Sequence, residues 1–219
     1  MIVNAGAVVL SRRAFRENDR LCSVFTEHLG KIPARFVGVN RPKGKLKALT
    51  EPGVWGEYRL HLSSRSEFAK AVGGRLLSSF PGWRTDLART FDALACLEML
   101  DRLTPDHQPS PEKYELICAA LGALDAAPSR WLVPAFGLRL AGMLGISLRE
   151  RAPAACLPFW NALHDEELPA LRALRYDAAA GDAARRLLDE HFAAHAGRRL
   201  RAFEFRDEWK KTVPLGVPA

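Results

Sequence analysis

Leu21-Cys22-Ser23-Val24-Phe25-Thr26-Glu27-His28-Leu29-Gly30-Lys31-Ile32-Pro33-Ala34-Arg35-Phe36-Val37-Gly38-Val39 is the stretch on which the fold turns. Leu21–Phe25 alternates like a half-buried strand, Gly30-Lys31 marks a turn, and Ile32–Val39 resumes as a second strand. Upstream, Ala5–Ser11 (AGAVVLS) is apolar and β-branched. Downstream, Val54–Leu62 (VWGEYRLHL) alternates aromatic with polar residues, and Ser66–Val72 is the candidate for a fifth strand. Five closely spaced strands with no long helix between them suit a small barrel, because closure removes the exposed sheet edges. The five-stranded OB-fold is the simplest such barrel.

After Gly74 the apolar spacing becomes helical. Arg84–Leu103 sets Leu87, Phe91, Leu94, Leu97 and Leu100 three and four residues apart, an apolar stripe ended by Thr104-Pro105. Ser110-Pro111-Glu112 has the form of an N-cap with proline at the first helical position and opens a helix through Leu124. Further helices are expected over Ser129–Leu144, Glu166–Leu174, Asp182–His195 and Leu200–Trp209. The expected class is therefore α+β, with an OB-fold barrel over residues 1–78 followed by an α-helical domain over 79–219.

Charge divides the chain along the same line. Residues 1–75 carry 14 Lys and Arg against 6 Asp and Glu, a surplus of +8, whereas residues 76–219 carry 18 against 19, or −1, so the barrel region accounts for all of the chain's net charge of +7. A basic β module on a neutral helical scaffold points to a polyanion, nucleic acid first. No apolar run approaches the roughly 20 residues of a membrane span, and no secretory leader pattern is visible, so the expected location is the cytoplasm. Cys22, Cys96, Cys118 and Cys156 are scattered and form no CxxC pair, which argues for free thiols and against a disulfide framework or a zinc knuckle.

The densest run of cations is Arg41-Pro42-Lys43-Gly44-Lys45-Leu46-Lys47, between the third and fourth strands. Clustered ammonium and guanidinium groups on a Pro/Gly loop can follow a phosphate backbone and release its counterions; the alternative is a solvated lysine loop, and the basic barrel around it favours the first. Arg12, Arg13 and Arg16, near the end of the first strand, make a second candidate phosphate patch, the alternative being a hydrated strand edge. Arg35 completes the candidate DNA-binding set. Phe25, Phe36, Trp55 and Tyr58 are weighed as base-stacking platforms against core packing, and alternation puts Trp55 and Tyr58 on opposite faces.

These residues carry a resemblance. Glu17-Asn18-Asp19, Val24-Phe25-Thr26-Glu27-His28-Leu29-Gly30-Lys31, Val37-Gly38-Val39, Lys43-Gly44-Lys45-Leu46 and Glu51-Pro52 are similar to the opening of the RecO family of DNA repair and recombination mediators. There a "T-E-x-x-G-K" turn leads to a "G-x-R-x-x-K-S-x-L" basic loop. Leu97-Glu98-Met99-Leu100 resembles that family's first long helix. Phe136-Gly137-Leu138-Arg139-Leu140-Ala141-Gly142-Met143-Leu144-Gly145 resembles its "F-x-L-x-L-L-x-x-L-G" helix, and Arg198-Arg199-Leu200-Arg201-Ala202 with Phe205 its C-terminal basic helix. The resemblance spans almost the whole chain in order. It departs at Gly44, where the family has serine, and at the four-cysteine zinc site many members carry after the "L-G" helix, where this chain has only Cys156.

The resemblance implies binding of single- and double-stranded DNA, annealing of complementary strands, contact with the acidic tail of the single-strand-binding protein, and cooperation with RecR in loading RecA. It implies no catalysis and no cofactor. On this reading the helix Ser129–Leu144 offers the tail an apolar cleft, with Arg130, Phe136 and Arg139 as its residues, and the segment Ala154–Trp160 is pinned by apolar burial instead of zinc. Two rivals stay open. One is an OB-fold adaptor that binds structured RNA; the other is a metal-dependent nuclease using Asp165, Glu166 and Glu167, although three consecutive carboxylates on a helix diverge.

Overall fold

The structure, a computed structural model, describes residues 1–42 and 44–212. The chain divides into two compact units: Met1–Phe80 with Thr104–Cys118, and Pro81–Leu103 with the chain from Ala119 onward. No helix among the described residues is long and apolar enough to cross a membrane.

In the first unit β1 (Ile2–Phe15), β2 (Asp19–Thr26), β3 (Gly30–Phe36), β4 (Trp55–His61) and β5 (Ala69–Ser78) close a barrel in the order β1-β2-β3-β5-β4. The long β1 serves both seams. Its first half pairs with β4, from Ile2↔His61 to Val8↔Trp55, and its second half with β2, from Ala7↔Thr26 to Phe15↔Asp19. A register shift between Val9 and Ser11 marks the bulge at which the strand bends from one partner to the other. Side chains alternate, so Ala5, Ala7, Val9, Cys22, Val24, Ile32, Ala34, Phe36, Tyr58, Leu60, Ala69 and Ala71 fill the interior. β3 and β5 run parallel and every other seam is antiparallel. This is the OB-fold expected from the strand spacing.

Boundaries differ at every strand, and most at three: β1 runs Ile2–Phe15, beyond the expected Ala5–Ser11 at both ends. The fifth strand is Ala69–Ser78, not Ser66–Val72; it continues through Gly73 and Gly74 because both pair with β4, opposite Arg59 and Tyr58. β3 stops at Phe36 because Gly38 turns the chain at φ +67°, although Val39 still reaches the core. Residues 104–118 associate with the barrel. His107 donates its N–H to the Lys31 carbonyl at 2.8 Å, Lys31 pairs with Asp106 at 3.3 Å, and Trp55 Nε1 donates to the Tyr114 hydroxyl at 2.9 Å.

The helices are α1 (Pro81–Arg84), α2 (Leu87–Leu103), α3 (Pro111–Ala126), α4 (Leu132–Met143), α5 (Leu157–Asp165), α6 (Ala178–Ala196) and α7 (Arg201–Thr212). Ser110 Oγ accepts from the Lys113 N–H at 3.4 Å and Asp177 accepts from Ala180 N–H at 2.8 Å, two side-chain N-caps. α4 is sheathed on all sides, with Leu132–Leu138, Leu140 and Ala141 buried. Two expectations fail here. The apolar stripe of α2 is rotated: Ala93, Cys96, Leu97 and Leu100 are buried, but Leu87 and Leu94 are 49% and 37% exposed, because α2 packs against α4, α6 and α7 together. Glu166–Leu174 is not an α-helix; Leu168–Ala173 is a 3-10 turn, and the α-helix lies before it as α5.

The segment Ala154–Trp160 is held by Cys156 and Trp160 rather than by the whole apolar run. The Cys156 thiol donates to the Ala180 carbonyl at 3.1 Å and Trp160 Nε1 to the Arg149 carbonyl at 2.7 Å, whereas Leu157 is 64% exposed. Helix α5 turns Leu157 outward while it seats Trp160.

Gly137 lets three helices meet. A Cβ there would lie 2.9 Å from Leu188 Cδ1 on α6 and 3.4 Å from Met99 Sδ on α2. Gly137→Val is expected to destabilise the protein by about 1–3 kcal/mol through overpacking, with helix content retained, as read by urea unfolding followed by circular dichroism.

Asp19 clamps the β1–β2 corner. Its carboxylate accepts from the Gly38 N–H at 2.8 Å and from Arg35 Nε and Nη2 at 2.9 and 2.6 Å. The Gly38 hydrogen bond, with the Arg35 guanidinium behind it, holds its carboxyl below the ordinary value of 3.8, against the opposing effect of burial. With the folded value depressed, this contribution to stability is complete above the ordinary carboxylate range and is lost as pH falls through the lower folded value. Asp19→Asn is therefore expected to cost about 2 kcal/mol at neutral pH and to flatten the acid limb of the stability–pH curve. Unfolding midpoints measured from neutral pH down to the acid transition check both effects.

Candidate nucleic-acid interface

Because directly paired residues of a sheet share a face, the register identifies what the barrel presents outward. Arg13 pairs with Leu21, Leu21 with Arg35, and Arg35 with Lys70, a row across β1, β2, β3 and β5 on the side opposite Cys22 and Ala34. Arg13 and Lys70 are exposed and Arg35 is partly so. Neighbouring positions in such a row are about 5 Å apart, so three cations span four strands, a spacing a phosphate chain can follow. Lys70 was missed in the sequence, as were Arg59 and Arg75 on β4 and β5. Their strands show little charge clustering, and only pairing across the sheet gathers them.

The three N-terminal arginines do not form one patch. Arg12 pairs with Cys22 and so lies on the core-facing side, where its guanidinium reaches Glu51, which Arg20 also binds at 2.9 Å. Arg13, one residue on, faces outward. Arg16 sits in the β1–β2 corner at φ +53°, its guanidinium carbon 5.6 Å from the centre of the Phe15 ring. Strand alternation is the physical reason that adjacent arginines part company.

The basic loop rises from the same end of the barrel. Asn40 N–H donates to the Asn18 carbonyl at 3.1 Å and Arg20 Nε to Asn40 Oδ1 at 3.1 Å, tying the loop's start to the β1–β2 corner. Arg41, Lys45 and Lys47 are exposed; Lys43 lies outside the described residues. Gly44 N–H donates to the Arg41 carbonyl at 2.9 Å, and a Cβ on Gly44 would stand 2.5 Å from the Val39 carbonyl oxygen. Glycine at this position thus serves the fold of the loop itself.

The aromatic candidates are committed to packing. Phe25 and Phe36 are fully buried, and Tyr58 is in the barrel core with its hydroxyl donating to the Leu49 carbonyl at 3.0 Å. Trp55 is stacked on Phe80 with ring centres 6.5 Å apart, besides its bond to Tyr114. Burial also pushes the Cys22 and Cys118 thiols up to about 12, leaving them protonated at neutral pH.

On the helical unit, two of three partner-site candidates are unavailable at the surface. Phe136 is fully buried in α4. Arg139 donates Nε to the Leu163 carbonyl at 3.0 Å and Nη2 to the Glu166 carbonyl, closing the end of α5, and burial lowers its pKa. Arg130 is exposed, its guanidinium 5.2 Å from the Tyr176 ring. The nuclease candidates do not converge: Asp165 pairs with Arg149 at 2.6 Å, while Glu166 and Glu167 are exposed, and among the described residues no three metal-ligating side chains come together.

Comparison with known proteins bears on the same two parts of the chain. A family model described as recombination protein O N terminal matches residues 1–80, and one described as recombination protein O C terminal matches residues 84–157. Among relatives named DNA repair protein RecO, that of Desulfitobacterium hafniense is 32% identical over 155 residues, 71% of this chain and 56% of the relative. That of Clostridium perfringens is 30% identical over 150 residues, 68% of this chain and 60% of the relative. The match thus spans little more than half the length of these two relatives. The Myxococcus xanthus protein is 30% identical over 234 residues, 91% of this chain and 94% of the relative. With a closed five-stranded barrel under the first model and helices under the second, this chain belongs to the RecO family.

Proposed function

We propose that this protein is a DNA-binding recombination mediator that acts without bond-making chemistry of its own. The observation that carries the reading is the gathering of Arg13, Arg35 and Lys70 on one face of the barrel, with Arg16, Arg41, Lys45 and Lys47 at the end where the β1–β2 corner and the basic loop are joined. An OB barrel of this kind binds oligonucleotides through its β2–β3 face and the loops beside it. Phosphate contacts of this type are indifferent to sequence, as a protein that must act at any gap requires. In this reading the protein holds and anneals complementary strands and works with RecR to bring RecA onto DNA coated by single-strand-binding protein.

The acidic tail of the single-strand-binding protein is assigned to the helical unit. α2 and α7 lie side by side there: Glu98 accepts from the N–H groups of Arg201 and Ala202, Arg206 pairs with Asp92, and Phe91 packs on Trp209 at 5.7 Å. Leu87 and Leu94 on α2 and Phe205 on α7 are exposed, as are Arg198 and Arg201 around the start of α7, the kinds of side chain an acidic, hydrophobic tail would meet. This replaces the cleft expected at Phe136 and Arg139.

Changing Lys43, Lys45 and Lys47 to Ala should weaken binding to all DNA sequences alike and lower the logarithmic salt slope by about 0.9 for each lost contact on duplex and about 0.7 on single strands. Fluorescence anisotropy titrations across a range of salt concentrations read both, and wild-type affinity and slope in the variant would place the DNA elsewhere. Phe205→Ala should weaken calorimetric binding of a tail peptide while DNA affinity is kept. Annealing of coated strands separates a mediator from a merely basic protein: binding without annealing would refute the mediator reading.

A further inference from the structure

One seam of the barrel is short. β3 and β5 share the pairs Ala34↔Ala69, Arg35↔Lys70 and Phe36↔Ala71, after which β5 runs on to Ser78 with β4 on one side and, among the described residues, no strand on the other. Among the same residues, no loop backbone hydrogen bond reaches Val72–Leu77. A strand in an antiparallel pair turns part of its N–H and C=O groups away from its partner, so this stretch of β5 offers an unpaired edge.

Apolar side chains gather beside that edge. Val37 and Val72, which immediately follow the last β3–β5 pair, are exposed together with Leu76 and Leu77, each between 38% and 45%. Leu76 pairs with Gly56 as Gly74 pairs with Tyr58, and Tyr58 is core, so alternation sets Leu76 on the interior side of the sheet. It is 45% exposed there because no strand stands beside it. The opposite side of β5 carries Lys70 and Arg75, both exposed, the latter paired with Glu57 at 2.9 Å. The exposed Lys45 and Lys47 lead into the 3-10 turn Ala48–Thr50, whose Leu49 Cδ1 would lie 2.9 Å from a Cβ on Gly74.

We propose that the β5 edge from Val72 to Leu77 takes an added strand from a partner protein, an extended segment in which apolar residues alternate with acidic ones. The segment's main chain pairs with the free edge, its apolar side chains cover Leu76 on the interior side, and its carboxylates meet Lys70 and Arg75 on the outer side. Charge selects this occupant over a second copy of the chain. A twofold antiparallel pairing of this stretch with itself keeps both Arg75 side chains on one face at facing or diagonal positions, like charge against like. The site does not depend on the barrel's binding DNA.

The test titrates the full-length, isotope-labelled protein with three peptides of about eight residues, each to about 1 mM. One alternates Glu and Val, one alternates Lys and Val, and one is the Glu–Val peptide methylated at every amide nitrogen, which cannot donate to a strand. The Glu–Val peptide should shift the amide resonances of Val72–Leu77 and slow their hydrogen exchange, and the other two should bind about ten-fold or more weakly. Leu76→Ser should weaken the Glu–Val peptide about five-fold. Glu–Val binding no tighter than that of the methylated or the Lys–Val peptide, or shifts confined to other strands, would overturn the proposal. Protection of the edge that rises with protein concentration in the absence of peptide assigns it to a second copy, and protection by an oligothymidylate but not by the peptide assigns it to DNA; either result refutes the partner strand. The three peptides are compared on the wild type, so a misfolded Leu76→Ser leaves the test decisive.

Discussion

Closure of the barrel depends on one strand serving two partners. The N-terminal half of β1 belongs to β4 and its C-terminal half to β2, and the bulge between Val9 and Ser11 lets a single extended segment bend through both pairings. Without it the sheet would keep open edges at β2 and β4, which small β domains cannot leave unmanaged. The end of that strand opens the β1–β2 corner to which the basic loop is tied. Phe15 is the last residue of β1 and packs on Phe68 ahead of β5, and Arg16 opens the turn that follows.

The same alternation that builds the core sorts the charges. Arg12 turns inward to Glu51 and Arg13 outward, although they are adjacent in sequence. Arg35, Lys70 and Arg13 are distant in sequence but share a face, since each is set by pairing with the strand beside it. Asp19 then joins corner, strand and loop through three hydrogen bonds to Gly38 and Arg35. One buried carboxylate thereby fixes the orientation of a cation on the outer face, which reduces the conformational entropy that a ligand would otherwise have to remove.

In the helical unit the corresponding constraint is close approach around α4. A helix buried on all sides has no polar face to orient it, so its position is set by shape, and Gly137 against Leu188 and Met99 is where the shapes meet most closely. The neighbouring α2 consequently buries a broad sector toward α4 and α6 and leaves Leu87 and Leu94 outside it. Phe136 and Arg139, prominent in the sequence, are consumed by this packing: one fills the core and the other closes the last turn of α5 through two carbonyls.

The five strands, their alternation, the basic N-terminal third, the helical remainder and the N-cap at Ser110 were legible in the sequence, because each is a local pattern of period two, period 3.6 or composition. The family likeness was legible for the same reason, as ordered local patterns. Which cations share a face was not. Facing depends on register between strands far apart in the chain, and register is set by the closed barrel as a whole. Nor could the sequence tell that Gly44 answers to the Val39 carbonyl, that β5 continues through Gly73-Gly74, or that Phe15 rather than Tyr58 stands at the rim. Local chemistry determined what the elements are; long-range pairing and burial decided which side chains remain for a ligand to touch.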